Sequence, residues 1–285
     1  MDEFSRNMFK HDEKNKHEHG LYTRDEVLGS PLPHQDKLEE TKNIGRVKTG
    51  VSGLDELVQG GFPKGSFVVV TGGAGSGKTI FACQFIAEGI KNNEKCLYIT
   101  VEQLAREITD QAKQFGWDFN KWEEEGKLNI LPLVENEIFE TRVLEEIKNN
   151  IEKNNYDRVV IDSITSAIHA PFSARSILDG TTRGLQPGAL IELNRASVTN
   201  LIDLIKTHGI TAIGISQKVE GMPGETYDTF SEFKADGLII LDSVEVGDEL
   251  NRTIRVKKLR KTKITGLTNI FEFTSNGIAI KQKEV

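Results

Sequence analysis

The chain has 285 residues and a formal net charge of −7, from 36 Lys and Arg against 43 Asp and Glu. That length can bury a sizeable core and sits near the upper limit for one domain, while the acidic balance argues against a general nucleic-acid coat. The two cysteines, Cys83 and Cys96, exclude a disulfide scaffold and a zinc-binding CxxC pair, and the short apolar runs leave no transmembrane helix.

Residues 1–44 hold 10 acids, 7 bases and four of the six histidines, without apolar periodicity. Such a segment buries too little to offset ordering entropy, so it is expected to be a disordered polar tail. Its opening, Met1-Asp2-Glu3, lacks the basic flank and apolar stretch of a signal peptide. A soluble, cytoplasmic protein with no membrane partner is expected. His11, His17 and His19 have no cysteine and no fixed ligand spacing, and are read as solvated tail residues.

From residue 45 the pattern alternates between strands and helices. The β-branched run Ser66–Thr71 predicts a strand and Thr79–Ile90 a helix. Lys95–Val101, Leu128–Leu133, Arg158–Asp162 and Ile210–Ile215 predict further strands, with helices over Ala105–Phe115, Arg142–Lys153 and Leu190–Thr207. Nearly continuous apolar strands between helices predict a mostly parallel sheet covered on both faces. Beyond Ala235 only strands are predicted: Gly237–Leu241, Thr253–Leu259, Thr268–Phe273 and Ile278–Lys281. These are expected to extend the sheet through antiparallel pairs. No repeat or linker divides residues 45–285, so one α/β domain is expected.

Between the first strand and the first helix lies Gly72-Gly73-Ala74-Gly75-Ser76-Gly77-Lys78-Thr79, which matches G-x-x-x-x-G-K-[ST]. Glycines let the loop turn its N–H groups toward phosphate oxygens. The following helix N-terminus adds positive potential. Lys78 brings a charge to the β and γ phosphates, and the Thr79 hydroxyl is a ligand for Mg²⁺. With Ile80 after them, these are the candidate nucleotide-binding residues. A bare glycine turn is the competing reading, and the strand–loop–helix context argues against it.

Asp162, closing a second apolar strand, is the candidate second Mg²⁺ residue; the alternative is a helix N-cap. Ser163 follows it, where many ATPases place a water-polarising glutamate. Glu102, just past the strand Cys96–Val101, is the alternative base, at the carboxyl edge where open α/β folds bind ligands. By position alone it is equally a surface residue. Arg252–Lys263 holds seven bases. In a regular strand Val256, Lys258, Arg260 and Thr262 share one face, and Arg255, Lys257, Leu259 and Lys261 the other. On composition alone this is an edge strand guarded by lysines.

Taken together the chain resembles the RecA superfamily, and within it single-domain relatives of the circadian-clock ATPase KaiC. The resemblance spans nearly all of residues 47–281. It rests on Thr49–Leu57 with Gly60-Gly61, the phosphate loop, Tyr98–Glu102, Phe115–Asp118, Ile161–Ser166 and Lys258–Thr262. It implies a RecA-type P-loop core, ATP and Mg²⁺ as cofactors, and homo-hexameric rings with ATP at subunit boundaries. It also implies that Glu102 is the catalytic base, that Gln217 senses the γ phosphate, and that Lys258 and Arg260 are fingers reaching a neighbouring subunit's nucleotide.

The chain departs from the clock protein in three ways. Glu102 is followed by Gln103 rather than by a second glutamate. Glu232-Phe233 stands where the clock protein autophosphorylates on Ser and Thr, with Thr229 and Ser231 out of register, which argues against an autokinase. One core is present rather than two. A DNA-binding recombinase paralogue is the main alternative. Against it, the segments 169–190 and 218–234 carry net charges of only +1 and −2, too few bases for phosphate contacts. The favoured reading is an ATP-hydrolysing ring that acts on a protein partner in signalling; a kinase and an ATP-bound adaptor are the remaining alternatives.

Overall fold

In the computed structural model, residues 44–133, 142–169, 187–218, 221, 224–246 and 249–281 are described. The expected polar tail with its histidines, and most of the 169–190 segment, lie outside the described residues.

A short ribbon pairs β1 (Arg46–Val47) with β2 (Phe62–Pro63) around α1 (Leu54–Leu57). The main sheet comprises β3 (Phe67–Gly72), β4 (Cys96–Thr100), β5 (Leu128–Pro132), β6 (Arg158–Asp162), β7 (Thr211–Gln217), β8 (Gly237–Val246), β9 (Glu249–Leu259), β10 (Thr268–Thr274) and β11 (Gly277–Ile280). Their order is β11-β10-β9-β8-β3-β7-β6-β4-β5. The strands from β8 to β5 in that order are parallel, and β9, β10 and β11 continue antiparallel. The helices are α2 (Lys78–Lys91), α3 (Ala105–Lys113), α4 (Phe119–Glu124), α5 (Arg142–Lys153), α6 (Ile164–His169), α7 (Pro187–Thr207) and α8 (Ser231–Lys234).

Every residue of β3 is buried, as an apolar strand between two helical layers must be. Successive side chains of β3 feed different cores. Val68 and Val70 pack with Phe81 and Phe85 of α2; Phe67 and Val69 pack with Ile202 and Ile205 of α7. Gly214 lets β7 lie close to α6, because a Cβ there would stand 2.0 Å from Ile164 Cδ1. Both cysteines are buried, and Trp117 is buried and stacks on Phe115.

Two expectations are corrected. Gly237–Leu241 does not open the antiparallel series: it pairs in parallel with β3, from Val68↔Gly237 to Gly72↔Leu241. An apolar strand of that length carries no mark of direction, and the order reverses one strand later, at β9. Regular alternation also fails in β9. Leu238 pairs with Lys258 but Ile239 pairs with Val256, so Lys257 is bulged out. Val256 and Leu259 are therefore both buried in one core, although simple alternation places them on opposite faces. β9 ends at Leu259, which leaves Arg260 in the turn that follows.

The register fixes the working edges. Gly72 ends β3 at the carboxyl edge, whereas Gly237↔Leu259 lies level with Val68 at the amino edge. Six residues of β3 span about 16–20 Å, so the phosphate loop and the Lys258–Arg260 segment occupy opposite ends of the parallel strands.

Candidate nucleotide-binding site

The phosphate loop is built where β3 ends and α2 begins. Gly72 cannot be replaced by a larger residue without movement, since a Cβ would lie 2.0 Å from Leu241 O and 2.7 Å from Ser76 Oγ. Gly77, the N-cap of α2, has φ +97°, and its Cβ would meet the Phe273 ring at 2.8 Å. Lys78 folds back over the loop and donates to Gly72 O at 2.9 Å and Gly73 O at 2.6 Å. Burial holds its pKa below the usual lysine value, opposed by the carboxylates of Asp162 and Glu102. The Ser76 hydroxyl in the same loop is buried without a partner.

Asp162 ends β6, separated from β3 by β7. Its Oδ2 accepts from Thr79 Oγ1 at 3.0 Å and from Tyr98 OH at 2.8 Å. Burial raises the Asp162 pKa, and these two hydroxyls only partly offset it. A cation beside the carboxylate would offset the same desolvation cost. A hydroxyl and a carboxylate oxygen are hard donors of the kind Mg²⁺ takes, with waters and phosphates completing its octahedron. The residues present therefore fit the ion. Among the described residues no three His, Cys, Asp or Glu side chains converge as an all-protein metal cage.

Glu102 lies past the end of β4 in the same cleft, which Ala74, Lys78, Asp162 and Gln217 also line. Its Oε1 accepts from Ser163 Oγ at 2.8 Å and from Ser166 Oγ. Gln217 Nε2 reaches both carboxylate oxygens, at 3.3 and 3.4 Å. The Asp162–Ser163 peptide is cis. Thus Lys78, Thr79, Asp162, Glu102 and Gln217, drawn from three strand ends and one loop, share one cleft. Chemically the cleft offers backbone N–H groups, an ammonium, a metal-binding oxygen pair, and a carboxylate positioned to take a proton from water.

Lys258 and Arg260 are not in this cleft. Lys258 Nζ donates to Ala235 O at 2.6 Å and Phe233 O at 3.0 Å, and burial lowers its pKa. Arg260 Nη1 donates to Asp236 Oδ1 at 3.2 Å, and its side chain is half exposed. Ser231, the nearby hydroxyl residue, is buried.

Sequence reasoning missed Ser163 and Ser166 as partners of Glu102, and Tyr98 as a partner of Asp162. Tyr98 carried a signal: a tyrosine inside a buried apolar strand needs an acceptor for its hydroxyl. The serines carried none, because their role depends on α6, which is too short to show periodicity.

Comparison with known proteins agrees with this geometry. The chain is 33% identical over 257 residues to a UPF0273 protein of Thermotoga maritima, covering 85% of this chain and 98% of that protein. It is 30% identical to the circadian clock oscillator protein KaiC of a Picosynechococcus species, over 84% of this chain and 45% of that one. The crystal structure of a KaiC-like protein from Pyrococcus horikoshii superposes with a TM-score of 0.70 at 32% identity, covering 84% of this chain and all of that one. The family model of the KaiC ATPase matches residues 47–191 and 189–285. The chain thus belongs to the KaiC ATPase family, as an ATP-binding P-loop protein with a RecA-type α/β fold.

Proposed function

We propose that the protein hydrolyses ATP with Mg²⁺ as a cytoplasmic homo-hexameric ring, and that it acts on a protein partner in signalling. Residues 45–285 form the ATPase domain and residues 1–44 its polar tail. Lys78 and the loop amides of Gly72–Ile80 hold the phosphates. Thr79 and Asp162 hold the ion, which neutralises charge that develops on the phosphates. Glu102 takes the proton of the attacking water, and Gln217 reports the state of the γ phosphate. Lys258 and Arg260 serve the neighbouring chain's nucleotide.

One observation carries the reading. A complete set of phosphate, metal and base residues occupies one edge of the sheet, while the two finger residues lie about 16–20 Å away at the other. Fingers so placed can reach only a nucleotide held by another chain. The buried Ser231 supports setting autokinase activity aside.

ATP hydrolysis measured against protein concentration, with sizing in parallel, tests this. Turnover per chain should rise with assembly. Arg260→Ala should remove the rise while ATP still binds. Turnover that is independent of concentration and insensitive to Arg260→Ala would overturn the ring mechanism.

A further inference from the structure

A second charged concavity lies at the amino edge of the sheet, away from the phosphate loop. The Pro63–Ser66 turn before β3, the end of α7, Asp236 and the turn after β9 enclose a cavity of about 70 Å³. That space suits a group of a few heavy atoms and is too small for a nucleoside. Lys64, Lys206, Arg260 and Lys261 line it against one carboxylate, Asp236.

Asp236 is already fully engaged. Its Oδ1 accepts from Lys206 Nζ at 2.9 Å and Arg260 Nη1 at 3.2 Å, and its Oδ2 accepts from the Phe67 N–H at 3.1 Å. One carboxylate among four cations leaves an excess of positive charge. Among the described residues, the ammonium groups of Lys64 and Lys261 donate to no acceptor. A fifth cation, Lys258, stands close by on Ala235 O. Such crowding of like charge is unfavourable without an anion.

A second, independent feature points the same way. Ser66 lines this cavity at 4% exposure, and its hydroxyl has no hydrogen-bond partner. Buried hydroxyls are nearly always satisfied, so an orphan beside a cationic cavity calls for an acceptor.

We propose that this cavity is a phosphate site separate from the P-loop, in which Lys64, Lys206, Arg260 and Lys261 hold a tetrahedral oxyanion and Ser66 donates to one of its oxygens. Lys64, Ser66 and Lys206 have no part in the finger role given to Arg260, and binding here requires no hydrolysis. The phosphate has two possible sources: free phosphate, or the terminal phosphate of a nucleotide on a second copy of the chain.

The test titrates inorganic phosphate calorimetrically into the full chain with its P-loop saturated by MgADP, at a dilution where sizing shows single chains. One saturable phosphate per chain is expected, weakened about tenfold by Ser66→Ala and by Lys64→Gln. Lys64 is exposed, so Lys64→Gln will fold whatever the fate of Ser66→Ala. If single chains take up no phosphate, assembly with a non-hydrolysable ATP analogue is compared by sizing. A similar weakening of assembly by both substitutions assigns the cavity to the neighbour's terminal phosphate. Phosphate binding that ignores both substitutions overturns the site. So does the absence of phosphate binding together with assembly that ignores both substitutions.

Discussion

Gln217 sets its side-chain amide across the Glu102 carboxylate, 3.3 Å from one oxygen and 3.4 Å from the other. Both distances are long for a hydrogen bond, so the contact is weak and easily exchanged. Because β7 lies between β3 and β6, Gln217 stands between the phosphate loop and Asp162 as well as beside the base. A weak hold on Glu102 suits a residue that must switch to a phosphate oxygen.

Removing the base should therefore cost more than removing the sensor. Glu102→Gln keeps the shape of the cleft but cannot take a proton, and is expected to lower ATP turnover by about a hundredfold or more. Gln217→Ala is expected to lower it by about tenfold, within the range of a lost charge-assisted hydrogen bond. Both should bind a fluorescent ATP analogue like the parent. Equal turnover in parent and Glu102→Gln would remove Glu102 from the chemistry.

Burial holds the Asp162 carboxyl above the usual carboxylate range. The folded chain then binds that proton more readily than the unfolded one, so ionised Asp162 costs stability. The cost is absent below the unfolded value, grows as pH rises through the window between the unfolded and folded values, and is complete above it. Asp162→Asn is therefore expected to raise the melting temperature of the nucleotide-free chain by a few degrees at neutral pH, with the gain vanishing near about pH 4. It should also abolish Mg²⁺-dependent hydrolysis. A lower melting temperature at neutral pH would mean that Tyr98 and Thr79 compensate the charge fully.

Burial alone would also raise Asp236, but Lys206, the Phe67 N–H and Arg260 overcome it and hold its pKa below the usual value. The stability it contributes is present above its unfolded value and is lost as pH falls through its lowered folded value. Asp236→Ala is expected to cost about 2 kcal/mol at neutral pH, discounted because Lys206 and Arg260 remain partly exposed. Urea titration at neutral pH and again in acid checks this, and the difference should shrink in acid.

The two halves of the proposed catalytic set can be separated by mixing. Glu102→Gln supplies intact fingers, and Arg260→Ala supplies an intact cleft. Each alone should turn over slowly, and the mixture should recover a fraction of parental activity, since a missing finger typically costs about 10³-fold. No recovery in a mixture that sizing shows to be co-assembled would place both functions in one chain.

Gly214→Ala tests the packing beneath the site. Its Cβ would lie 2.0 Å from Ile164 Cδ1 and 2.8 Å from Phe67 Cζ. A loss of about 2–3 kcal/mol in denaturant titration is expected, with partial rescue by Ile164→Val.

The parallel layer and the phosphate loop were legible because long apolar strands and a fixed glycine–lysine spacing are local signals. Asp162 and Glu102 were placed at the correct edge by the same logic, as residues just past apolar strands. What escaped was non-local. The direction of β8 depends on a neighbour chosen by the fold. The Lys257 bulge depends on a mismatch between two strands. Ser163 and Ser166 meet Glu102 only because α6 packs under β7. The orphaned hydroxyl of Ser66 and the shared carboxylate of Asp236 likewise belong to contacts between segments far apart in sequence.

The separation of the phosphate loop from Lys258 and Arg260 across the sheet gives each chain a polarity. Its two working faces differ, so they complement each other and not themselves, and contacts run head to tail. A pair of chains joined this way satisfies one face of each and leaves one finger edge and one nucleotide edge open. A dimer is then always an unfinished object: growth continues until the last chain meets the first, and only closure gives every bound nucleotide a partner.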